Sequence, residues 1–185
     1  MGWWSLTILG GDTPLDYVAW IGDRVFARIG RDRVAGMLAR AGEPLDVANG
    51  RPGGHLIWPP AGERTELHHA VRAALGVVAP SLAAEFAEVD DGGRYGLQAL
   101  AVVCMGYGAP MSAELRRLCG QAAFGDEWAR TDTERRAHIA QLVGAINGYR
   151  DGAPTRLEEV GLFAAIERHI AAGKAGLVNT GPDLP

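Results

Sequence analysis

The chain has 185 residues, 48% of them hydrophobic and 22% charged, with 18 basic against 22 acidic residues and a formal net charge of −4. This balance excludes a collagen-like or disordered chain, and it leaves no overall field drawing the chain to a polyanion, so nucleic-acid binding would need a local patch. Cys104 and Cys119 are too few for a disulfide framework, no leader-like segment opens the chain, and the longest apolar run, 97–105 broken only by Gln98, is far short of the roughly 18–20 residues of a membrane span; the expectation is a soluble, cytoplasmic protein.

In chain order, 5–9 is the only plausible strand. Thr13 reads as a helix N-cap, with Pro14 at the first helical position, where its missing N–H is harmless, and Asp16 near the positive helix end. Leu15, Val18, Ile21, Val25 and Ile29 then recur at spacings of three and four, which predicts a helix ending near Gly30 with Trp20 flanking its stripe. A second helix over 32–41 turns Val34, Met37 and Leu38 inward and stops at Gly42. Residues 43–63, with Pro44, Pro52, Pro59, Pro60 and several glycines, read as a loop longer than the ~12–15 residues beyond which loops are usually functional or disordered.

Leu67, Val71, Ala74, Leu75 and Val78 predict a helix over 65–78 that Pro80 terminates, and Ser81 then caps a separate short segment carrying Leu82, Phe86 and Val89. Residues 94–105 are apolar nearly all round, the mark of the central, most buried helix. After the break at 106–110, Ser112 caps a helix with Leu115, Leu118 and Phe124 inward. Thr131 and Glu134 fit a capping box before Ile139, Leu142, Val143 and Ile146, and Thr155 and Glu158 repeat it before Val160, Leu162, Phe163, Ile166 and Ile170. About seven helices joined mostly by short loops predict an all-α, irregular or orthogonal bundle: one helical domain over 1–172 with the 43–63 loop inside it, and a loosely held tail over 173–185.

Chemistry is sparsely signalled. Glu66 and His69 form a single Glu-x-x-His, of which a di-iron bundle uses two, and Glu134 with His138 shares a helix face; solvated polar faces explain both, so no metal is expected. No Gly-x-Ser-x-Gly elbow or phosphate loop is present, and both cysteines read as core, so no catalytic residue and no cofactor is assigned. Asp12 with Asp16, Asp90 with Asp91, Asp126 with Glu127 and Glu158 with Glu159 are carboxylate pairs of the kind found at solvated helix ends. Arg24, Arg28, Arg31, Arg33 and Arg40 lack interleaved aromatics and read as a solvated face.

Five tryptophans are too many for a small helical core, and Trp3, Trp4 and Trp58 lie at the terminus and in the Pro-rich loop. With Asp12 they form the candidate partner-binding surface, docking of the loop on the core being the plainer alternative. Gly2, Trp4, Asp12, Leu15 and Asp16 resemble the opening of the bacterial family called domain of unknown function 4259, and the 107–111, 126–129 and 134–137 stretches are similar to segments of small bacterial and phage proteins. The resemblance implies a compact helical protein and no catalytic residues. The expectation is a non-enzymatic interaction or regulatory module with a protein partner, of bacterial or phage origin; the alternative is a small metal-assisted hydrolase using Asp12, Asp16, His68 or His69.

Overall fold

A computed structural model describes residues 8–9, 12–40, 66–90, 92–155 and 157. Among these the chain forms seven α-helices and no strand, so the fold is all-α as expected. Of the expected strand only Ile8 and Leu9 are described; they form part of a turn, and both are buried. The 43–63 loop, the helix expected after Glu158 and the 173–185 tail lie outside the described residues.

Helix α1 (Asp12–Ile29) begins one to two residues earlier than Thr13 and Pro14 suggest, and it buries Val18, Ile21, Val25 and Phe26. It ends at Gly30, whose φ of +98° is a conformation that side-chain-bearing residues rarely adopt. Helix α2 (Arg31–Arg40) follows at once, with Val34, Met37 and Leu38 inward as expected.

The expected break at Pro80 is not there. Helix α3 (Glu66–Ala87) runs for 22 residues straight through it. Pro80 cannot donate to the carbonyl four residues back, yet it is exposed, and the buried series Leu75, Ala79, Leu82, Ala83 and Phe86 crosses it in one register. Burial of that continuous stripe outweighs the roughly 3 kcal/mol an interior proline costs a helix. Ser81 is therefore no N-cap, and its hydroxyl donates to the Val78 carbonyl at 2.9 Å inside the helix.

Helix α4 (Gly93–Tyr107) is the central element anticipated from its all-round apolarity, packing against α1, α3 and two later helices. Gly108, at φ +67°, ends it in the left-handed region and bonds back to the last turn. Helix α5 (Ala113–Phe124) has the cap read from the sequence, with Ser112 Oγ accepting from Leu115 N–H at 3.1 Å. Phe124 does not turn inward as expected and is 75% exposed. A short helix α6 (Trp128–Thr131) was not anticipated, and it moves the next cap from Thr131 to Asp132. Asp132 Oδ1 accepts Arg135 N–H at 2.8 Å to open α7 (Thr133–Gly148), which buries Ile139, Leu142 and Ile146.

Candidate functional site

Only some of the residues singled out in the sequence are described. Trp3, Trp4 and Trp58 lie outside the described residues, and Asp12 is described only as the first residue of α1. Asp16 is exposed on that helix. His68 and His69 are neighbours on α3 whose rings meet edge to face, centroids 6.0 Å apart; His68 is buried, its ring 5.0 Å from that of Tyr107, while His69 is exposed. The solvated face expected for Glu66 and His69 agrees with the exposure of both, whereas that expected for Glu134 and His138 is corrected for His138, which is buried on α7 with Arg135 and Ile139. Glu66 accepts the Arg40 guanidinium at 2.7 Å. Among the described residues no three His, Cys, Asp or Glu side chains gather as a ligand set.

Four of the five arginines of α1 and α2 face acids. Arg24 pairs with Glu85 at 2.9 Å, Arg31 with Asp23 at 3.8 Å, and Arg33 and Arg40 both approach Glu66. These exposed pairs neutralise the stripe that a phosphate backbone would need. Cys104 and Cys119 are buried, and burial pushes both thiols up, Cys119 to about 12, so neither is held as a reactive thiolate. Trp20 is 39% exposed, its ring 5.4 Å from Phe86 and 6.1 Å from Tyr17.

One polar constellation was not read from the sequence. Arg135 and Asp126 are fully buried and meet at 2.7 Å. Asp126 Oδ2 accepts Arg135 Nε and Nη2, and also Gln98 Nε2 at 3.1 Å. The Gln98 amide oxygen accepts Arg135 Nη2 at 2.9 Å, while Asp126 Oδ1 accepts Ala129 N–H at 3.1 Å. Burial raises the Asp126 carboxyl, but the hydrogen bonds and charge of Arg135, with Gln98 and Ala129, outweigh it and hold the group below its usual range. A carboxylate so locked and so remote from solvent acts as a structural pin, not a proton carrier.

The pin fixes the corner between α5 and α7 from inside, and other arginines fix it from outside. Arg94, one turn before Gln98 on α4, donates to the Gly125 carbonyl at 2.8 Å and pairs with Glu127 at 3.3 Å. Arg136 donates to the carbonyls of Ala129 and Arg130 at 2.8 and 2.9 Å. Phe124 stands on this corner. Two signals foreshadow the pin: Gln98 is the lone polar residue in an otherwise apolar run, and Arg135 falls on the stripe shared by Ile139, Leu142 and Ile146. A polar group at a core position needs a partner.

No family model, curated protein or solved structure matches this chain.

Proposed function

We propose that this chain is a non-enzymatic protein-interaction module that presents Phe124 from the corner between α5 and α7. The observation that carries this reading is a phenyl ring 75% exposed on backbone held by Arg94, Gln98, Asp126, Arg135 and Arg136. A rigid aromatic anchor loses little conformational freedom on binding, and burying it in a partner contributes roughly 1.5–3 kcal/mol. Trp3, Trp4, Asp12 and Trp58 are further candidates for contact with a protein partner from their sequence setting alone, and a cytoplasmic regulatory role of bacterial or phage type is the expectation attached to them. The exposure of Asp16 and the lack, among the described residues, of any gathering of three His, Cys, Asp or Glu side chains favour this reading over a hydrolase built on those groups.

The test is capture of binding proteins from the source cells by the wild-type chain and by Phe124→Ser. Loss of the exposed ring is expected to weaken capture of a specific partner about 10- to 100-fold while the thermal midpoint stays unchanged. A partner retained by Phe124→Ser but lost on substituting Trp3, Trp4 or Trp58 would move the site to those tryptophans, and absence of any specific partner would end the proposal.

A further inference from the structure

Helix α3 is long and apolar, with mean hydropathy 1.4 over its best 18-residue window, yet only 39% of that window is buried. Its buried side, Leu67, His68, Val71, Ala74, Leu75, Ala79, Leu82, Ala83 and Phe86, is nine of its 22 residues. The opposite side presents Ala73, Val77, Pro80, Ala84 and Ala87 at spacings of four, three, four and three, all exposed, with Val77 at 59% and Ser81 the sole polar residue among them. From Ala73 to Ala87 this face carries no charge; Glu66 and Glu88 lie beyond its ends. The salt bridge from Arg24 to Glu85 closes one edge, where α1 packs. Along the other edge Gly76 lies against Pro110, and the Arg72 guanidinium lies against Gly152, a Cβ there falling 3.1 Å from Nη2.

The last described stretch of the chain is held near that second edge. Gly152 N–H donates to the Gly108 carbonyl at 3.0 Å and Thr155 N–H to the Met105 carbonyl at 2.8 Å, so the strand of chain after α7 is tied down beside Arg72. The Thr155 and Glu158 capping box is not formed, because Leu157 is not helical and the Thr155 hydroxyl donates to the Ala153 carbonyl at 3.3 Å; beyond it the sequence carries Val160, Phe163, Ile166 and Ile170 at spacings of three and four. We propose that the 158–170 segment docks as an amphipathic helix on the uncharged face of α3, running from Ala73 toward Ala87. A helix of that length is about 20 Å long, and the face from Ala73 to Ala87 is about 21 Å. The three linking residues reach about 10 Å when extended. Tethering makes this encounter intramolecular, which favours it over a second copy of the chain at ordinary concentrations.

The experiment is limited trypsin digestion of the full-length protein, followed by mass spectrometry at the bonds after Arg168 and Lys174. Docking is expected to slow cleavage after Arg168 by about tenfold relative to Lys174, which lies beyond the predicted stripe. Val77→Glu on the face and Phe163→Asp on the segment should each restore fast cleavage after Arg168, whereas Gln141→Glu, on the exposed side of α7, should not. Ala84→Glu repeats the face variant should Val77→Glu fail to fold. Equal cleavage at the two bonds in the wild type overturns the proposal. So does protection that survives both face variants, which places the segment elsewhere, or a wild-type dimer that Val77→Glu converts to monomer, which gives the face to a second copy.

Discussion

Arg135 and Asp126 carry opposite charges at zero side-chain exposure, with Gln98 bonded to both, and the physics of such a pair is asymmetric. Removing one partner strands a buried charge and costs about 3–5 kcal/mol, whereas replacing both with apolar residues of similar volume is often nearly neutral. Asp126→Ala should therefore lower the urea midpoint severely, and Asp126→Leu with Arg135→Met should recover most of the loss. The carboxyl is held below its usual range in the folded state, so its contribution is present above the unfolded value near ~4 and is lost as pH falls through the depressed folded value. Urea midpoints from pH 7 to pH 3 should fall in the wild type and be flatter at acid pH in Asp126→Asn; parallel curves for the two would show that another group governs the acid limb.

At the scale of elements, local signals announced most helices and misjudged one. Gly30, Gly108 and Ser112 act as their chemistry requires, because a left-handed turn or a hydroxyl cap is decided within a few residues. Pro80 was misread because its local penalty competes with burial of Leu75, Ala79, Leu82, Ala83 and Phe86, and the surfaces that cover those residues come from distant parts of the chain. The cap at Thr131 was displaced for a related reason: Asp126, held by Arg135, starts the short α6 that takes up Thr131. If tertiary packing overrides the proline, the local cost is still stored in α3. Pro80→Ala, at an exposed position, restores a donor to the Gly76 carbonyl and should raise stability by about 1–2 kcal/mol, the helical gain being offset in part by a freer unfolded chain. Chemical denaturation reads the change, and a loss of stability would mean that the ring itself makes a contact worth more than the missing hydrogen bond.

At the scale of the molecule, the bundle is closed by a clasp that joins the end of α7 to the turn between α4 and α5. Tyr149 Oη donates to the Ala109 carbonyl at 2.6 Å across 40 residues of sequence. Arg116 donates to the carbonyls of Met111 and Tyr149 and to Asp151, which also accepts Met111 N–H, and its guanidinium lies 5.1 Å from the centre of the Tyr149 ring. None of this is legible locally, since each bond depends on where the helices place two remote turns. The Tyr149 hydroxyl is pushed up to about 12, first by burial and then by Cys104 and Asp151. A raised folded value stabilises the protein fully below the unfolded value near ~10 and ceases to do so as pH climbs through about 12. Tyr149→Phe removes the donor, so at neutral pH it should cost roughly 1–3 kcal/mol through the unsatisfied Ala109 carbonyl. Between pH 9 and pH 11.5 the wild-type denaturation midpoint should decline more steeply than that of Tyr149→Phe, and the two curves should converge. Curves that stay the same distance apart across that range would detach the alkaline response from the clasp, leaving Tyr17 and Tyr95, whose hydroxyls burial also pushes up, to account for it.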